Sequence, residues 1–398
     1  MSLATLTATT VRTGADILVN SALAKIQGKR IGILTNHTGQ LSDGRHIMDA
    51  VIHSGAAQVM ALFGPEHGFR GDTPDGKTVG DNRDSRYDVP VYSLYGKTHK
   101  PTKEMLSDMD LLIIDIQDIG ARFYTFISTV ALALEGAAEH NVSVLLLDRP
   151  NPIRGMTFDG PVRHESQKSF VGWMPIPIMH GMTMGELAQM WNEEGQLQNG
   201  VKARLEVLPM AGWMRSMWYD ETGLQWIPPS PNMPTMKTAV LYPGMCLFEG
   251  TTISEGRGTE NPFELIGAPW LNTETVMDVM SHRHLPGVTL SAQQFTPTEI
   301  PGRASTPKYE GNECSGILVT VSDRNVFEPI RFALTLLAAI KQYHPEQMEL
   351  RGRRFDILSG SSAIRKSIEA GTPPDAIRED WKPGLDAFAR VREKYLMY

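Results

Sequence analysis

Two stretches of the sequence concentrate the side chains that move protons and hold anions. The first is GPEHGFRG, where Glu66 and His67 sit between glycines at 64, 68 and 71 and are followed by Arg70. The second is residues 248–264, FEGTTISEGRGTENPFE, with carboxylates at Glu249, Glu255, Glu260 and Glu264 and a guanidinium at Arg257. Neither stretch has helical or strand periodicity, so both read as loops, and their glycines allow positive φ or close backbone approach to a ligand. Loops this rich in polar groups are costly to order, which predicts that the acidic loop is held by what it binds. A carboxyl packed against Phe69 in the first loop is a candidate general acid. Glu255 and Glu260, which flank Gly-Arg-Gly, are the best second carboxylates, while Glu249 and Glu264 at the edges read as capping or pairing groups. Two carboxyls across a cleft are what glycoside hydrolysis needs, one to protonate the leaving oxygen and one to act as base or nucleophile.

Other chemistries lack their signatures. There is no G-x-G-x-x-G after the first strand, no Walker loop, no H-E-x-x-H and no G-x-S-x-G elbow. His37, His67 and His180 with Asp115 offer metal-binding atoms, but no local ligand spacing asks for a metal, so neither metal nor organic cofactor is expected. With 41% hydrophobic and 21% charged residues in 398, the chain is an ordinary globular protein long enough for two domains. A net charge of −7 without any Lys/Arg run argues against nucleic acid, so an anionic substrate must be met by local arginines. Cys246 and Cys314 lack metal spacing and cannot form a disulfide framework. No apolar run approaches the ~20 residues of a membrane span. MSLATLTATT has neither the basic nor the apolar region of a secretory leader, which predicts a cytoplasmic protein if nothing was removed and a periplasmic or secreted one otherwise.

The elements that position these loops follow an α/β pattern. Ile31–Leu34, Val59–Phe63, Leu111–Ile114 and Val142–Leu147 are short apolar runs separated by helical segments, which predicts a Rossmann-like, doubly wound, mostly parallel sheet. Each run ends in a polar turn, and ligands in such sheets sit beyond the carboxyl ends of the strands. The turns therefore nominate Asn36, Glu66, His67, Asp115, Gln117, Asp148, Arg149 and Asn151 for one crevice, with Arg122 and Tyr124 just downstream. A fifth strand is expected at Ile176–Met179, ending at His180, with Thr183 and Glu186 as a capping box for the next helix. The proline-rich WIPPSPNMPT, residues 226–235, reads as the crossing between domains, bringing Asn232 and Trp226 to the cleft. After a Pro/Gly-rich connection at 286–307, a strand at Gly316–Val321 and helices at Phe327–Tyr343 and Trp381–Tyr395 suggest a smaller α+β domain. The expected limits are 11–238 and 239–398, with the active cleft between the two domains.

From about Val11 to the last residue the motifs GPEHGFRG, DIQDIGARFYTF, LDRPNPI, HGMTMGELA, PSPNMPT and YPGMCLFEGTTISEGRGTENPFELIGAPW resemble the bacterial exo-acting β-N-acetylmuramidases of glycoside hydrolase family 171. The resemblance implies a Rossmann-like domain followed by a smaller one, and release of N-acetylmuramic acid from non-reducing ends of peptidoglycan fragments. It also implies Glu66 as the leading catalytic residue. Where relatives commonly carry asparagine in the acidic loop, this chain has Thr252. The lactyl carboxylate of N-acetylmuramic acid requires a cation, for which Arg70, Arg122, Arg149 and Arg257 are available, with Arg257 or Arg70 preferred. Inverting, retaining and substrate-assisted routes all fit the sequence. A non-catalytic muropeptide or amino-sugar binder is the alternative reading of the same cleft, and a metal-dependent amidase the third.

Overall fold

The computed structural model describes residues 10–70 and 82–398. Seven strands form the first sheet: β1 (Arg30–Thr35), β2 (Gln58–Gly64), β3 (Asn82–Asp84), β4 (Val89–Ser93), β5 (Leu111–Asp115), β6 (Ser143–Leu147) and β7 (Leu205–Leu208). Their order is β3-β4-β2-β1-β5-β6-β7, parallel throughout except for β3 at the edge. The chain builds outward from β1 to β4, then returns to β5 on the other side of β1, so the doubly wound arrangement has its switch point between β1 and β5.

Period-2 alternation explains why these runs become central strands. Leu34, Phe63, Leu112, Ile114, Val144 and Leu146 point into one core, while Ile31, Ile33, Leu62, Ile113, Leu145 and Leu147 point into the other. The first core is continuous with Tyr242, Phe248, Ile266 and Leu337 of the later residues. There, β8 (Leu265–Ala268), β9 (Val288–Phe295) and β10 (Cys314–Val321) make a separate antiparallel sheet in the order β8-β10-β9, packed with helices that include Pro329–Tyr343. The result is a large α/β unit with a smaller α+β unit. The helix Met236–Met245, capped by the Thr235 hydroxyl, runs through residue 238. Among the described residues no helix is long and apolar enough to cross a membrane.

Two expectations fail here. Ile176–Met179 is not a strand: Met179 makes only isolated bridges to Ala121 and Asp159, because Pro175 and Pro177 remove the alternate N–H groups a ladder needs. The last parallel strand is Leu205–Leu208 instead. The connection at 286–307 is not wholly irregular, since β9 occupies eight of its residues.

Candidate active site

At the end of β2 the chain turns sharply, closed by the Gly68 N–H donating to the Pro65 carbonyl at 3.0 Å. His67 sits at φ 70° and Gly68 at φ 77°. A non-glycine residue there carries backbone strain of about 1 kcal/mol, the kind of local cost that persists at working sites. The turn delivers Glu66, 8% exposed, into a cavity of about 510 Å³ between the two units. That volume is in the range of small-molecule sites. The Thr125 hydroxyl, at the start of the helix Thr125–Glu139, donates to Glu66 Oε2 at 2.6 Å. Burial and the adjacent Glu66 carboxylate push the Tyr95 phenol above its ordinary value. Tyr124, Phe123 and His67 line the same side.

The acidic loop supplies the other side through Glu249, Glu255 and Arg257. Its glycines are required: a Cβ on Gly256 would lie 2.5 Å from the Leu265 carbonyl oxygen, and one on Gly258 2.6 Å from that of Thr298. The loop is held by side chains from elsewhere in the chain as well as by its own. Lys308 Nζ donates to the carbonyls of Phe248 and Ile253, each at 2.8 Å, and pairs with Glu255 Oε2 at 2.8 Å. Arg257 Nη2 donates to Glu249 Oε1 at 2.8 Å and its Nε lies 3.5 Å from Glu255 Oε1. Arg354 reaches Glu249 Oε2 at 3.3 Å. Burial, reinforced by the Glu255 charge, pushes Glu249 up to about 7. Burial lowers Arg257 to about 10 against the opposing pull of Glu66.

The cavity thus gathers Glu66, His67, Tyr124, Glu255 and Arg257 from the expected set, and adds Glu249, which pairs with Arg257 and Arg354 as its place at the loop edge suggests and lines the cavity as well. Glu260 is not brought in: its side chain is 85% exposed and among the described residues meets Arg303, at 3.4 Å. Arg70 also points outward, 65% exposed and 3.9 Å from Asp84. Arg122 is wholly buried and donates to the carbonyls of Pro161 (2.7 Å), Ile176 (3.0 Å) and Leu358 (2.9 Å), joining the two units rather than facing a ligand.

The remaining strand-end residues serve one another. Asp115 forms a two-bond ion pair with Arg149, whose Nη2 also donates to the Gln40 carbonyl. Asp148 accepts from the Thr183 hydroxyl (2.7 Å), the Gly185 N–H (2.8 Å) and the Tyr398 hydroxyl (2.8 Å). The Thr183–Glu186 capping box is present as expected. Asn36 accepts from Thr38, Gln117 donates to the Asp118 and Pro150 carbonyls, Asn151 donates to the Met182 carbonyl, and His180 lies 3.4 Å from Asp118. The proline-rich segment lies against these ends through Pro228, whose carbonyl is 2.7 Å from His37 Nε2. Asn232 bonds the Arg303 carbonyl at 2.8 Å and Trp226 the Met233 carbonyl at 3.3 Å, neither of them lining the cavity. Of the four polar turns, then, only the one after β2 reaches the cleft. Thr252, the departure in the acidic loop, pairs with Gln347 and Glu349 away from the cavity.

Carboxylates contributed from two sides of an interdomain cavity, with aromatic walls and no nucleotide-binding loop, define a two-domain α/β protein of the glycoside hydrolase class. The comparisons with known proteins are specific about which. Residues 31–237 match the family profile for the N-terminal domain of exo-β-N-acetylmuramidase NamZ, and residues 240–398 that for its C-terminal domain. The chain belongs to this family. It is 44% identical over 389 residues to the peptidoglycan β-N-acetylmuramidase NamZ of Bacillus subtilis strain 168, covering 98% of this chain and 91% of that protein. Two crystal structures of DUF1343 family proteins from Bacteroides fragilis match 98% of this chain and 99% of theirs, one at 36% identity with a TM-score of 0.89 and the other at 35% with 0.80.

Proposed function

We propose that the protein hydrolyses the β-glycosidic bond that releases N-acetylmuramic acid from the non-reducing ends of peptidoglycan fragments, in cell-wall turnover and recycling. The observation that carries the reading is Glu66, fixed by Thr125 on one side of a cavity whose other side holds Glu249 and Glu255. In this mechanism Glu66 acts as general acid on the leaving oxygen. Glu255, positioned by Lys308 at 2.8 Å and Arg257 at 3.5 Å, faces the anomeric centre as the second carboxyl group and assists the attacking water as the bond breaks. Tyr124 and Phe123 offer the flat apolar faces against which a pyranose packs. Incubation with the disaccharide muramyl-glucosaminide, followed by identification of the released sugars, tests the proposal. Free N-acetylmuramic acid and N-acetylglucosamine are expected; an intact disaccharide that nonetheless binds would make the cleft a sensor or carrier site.

A further inference from the structure

The cleft holds more positive charge than its carboxylates use. Five cationic side chains line it: Arg257, Arg303, Lys308, Arg351 and Arg354. Three are committed, since Arg257 and Arg354 pair with Glu249 and Lys308 pairs with Glu255. Arg351 makes no side-chain ion pair or hydrogen bond among the described residues, and Arg303 has only the solvent-exposed Glu260 at 3.4 Å from Nη1. In a chain of net charge −7, cations in a binding cavity that have no carboxylate, or only a solvent-exposed one, call for an anionic ligand.

Arg303 carries the stronger signal. Its Nε and Nη2 are buried and have no hydrogen-bond partner among the described residues. Desolvated charged donors of this kind are costly to leave unmet. Nε and Nη2 form one edge of the guanidinium, the edge that takes a carboxylate in two parallel bonds; closed off as the side chain lies, it meets a ligand once the side chain, held among the described residues by the exposed Glu260 at Nη1, turns toward the cavity. This protein uses that edge elsewhere: Arg365 holds Asp356 through Nε at 2.9 Å and Nη2 at 3.0 Å, and Arg149 holds Asp115 the same way. The backbone around Arg303 is fixed independently of its side chain, by the paired Ile300 and Ala304 amides and by Asn232 on its carbonyl.

We propose that Arg303, with Arg351 adding positive charge to the same wall, is the anion subsite that reads the lactyl carboxylate of the terminal sugar. The inference rests on the muramidase reading and replaces Arg70, which faces outward, and Arg257, which is occupied by glutamates. It makes Arg303 a specificity residue rather than a catalytic one.

The test is a cycle of two enzymes and two substrates: parent and Arg303→Met, each assayed on a chromogenic β-N-acetylmuraminide and on its lactyl methyl ester. Esterification should lower kcat/KM of the parent by about 100-fold, a typical loss for a two-bond charged pair. Arg303→Met should lose a similar factor on the free acid yet only about threefold more on the ester, and Arg303→Lys should fall between. Arg351→Met should show a smaller loss confined to the free acid. Equal losses on both substrates would mark Arg303 as structural, and no loss on either would place the subsite elsewhere; either overturns the proposal while leaving the muramidase reading intact. A parent enzyme inert toward both substrates would overturn that reading and this subsite with it.

Discussion

Arg122 is the side chain on which the join between the two units can be tested most sharply. Its guanidinium is completely buried, has no carboxylate partner among the described residues, and donates to three carbonyl oxygens, two in the first unit and Leu358 in the second. Burial, with Arg163 nearby, lowers it to about 9. Replacing it by methionine keeps most of the volume but leaves the Pro161 and Leu358 carbonyls without donors, at about 1–3 kcal/mol each, and the Ile176 carbonyl with the Arg163 N–H at 3.3 Å. Release of a costly buried charge offsets part of this, so the net loss should be about 3 kcal/mol. With an unfolding entropy of about 2.1 cal/mol/K per residue over 398 residues, that corresponds to a drop in Tm of about 4 °C. Gly360→Ala attacks the same join from the other side, since its Cβ would lie 2.5 Å from Arg122 Nη2 at a φ of 82°. Differential scanning calorimetry of Arg122→Met and Gly360→Ala measures both. An Arg122→Met melting point within 1 °C of the parent would refute the assignment of Arg122 as the interdomain tie.

Glu249 gives a pH signature. Its folded value of about 7 stands above its ordinary 4.5, so its contribution to stability is fully present below pH 4.5 and is lost as pH rises through 7. The parent should therefore lose up to about 3 kcal/mol more than Glu249→Gln between pH 4.5 and 7.5 in denaturant titrations, and parallel profiles would contradict this. Thr125→Val removes the 2.6 Å hydrogen bond that fixes Glu66 and should lower kcat about tenfold while leaving KM and the melting point nearly unchanged in steady-state and thermal assays. Lys308→Met frees the acidic loop from the two carbonyls and the carboxylate that hold it, so protease cleavage within 248–264 should become faster and stability should fall by about 3 kcal/mol. Asp115→Asn should weaken folding through the loss of the Arg149 pair without the KM change expected of a substrate ligand.

The first sheet was legible in the sequence because its strands are buried on both faces and so appear as short continuous apolar runs. The Glu66 turn was legible because glycines bracket a carboxyl at a strand end. What escaped was set by distant partners. Lys308 organises the acidic loop from more than fifty residues away, and nothing near PGRASTPKYE marks it as doing so. The same distance hides Arg303 and the burial of Glu249. In the other direction, Asp115, Asp148, Arg149 and Asn151 have the residue types of a binding site. They point to a crevice because a sequence does not show that an aspartate and an arginine on adjacent strand ends have each other as partners. The acidic loop looked dependent on a ligand for the same reason: its counter-charges lie outside it.

The central claim is that Glu66 performs the chemistry in a cleft built to cleave a muramyl glycoside. Glu66→Gln keeps the side chain's shape and a hydrogen bond with Thr125 but cannot act as the acid. Its turnover of a chromogenic β-N-acetylmuraminide, measured beside calorimetric binding of N-acetylmuramic acid, should fall by at least about a thousandfold with binding within a few-fold of the parent. Turnover near the parent rate would contradict the account.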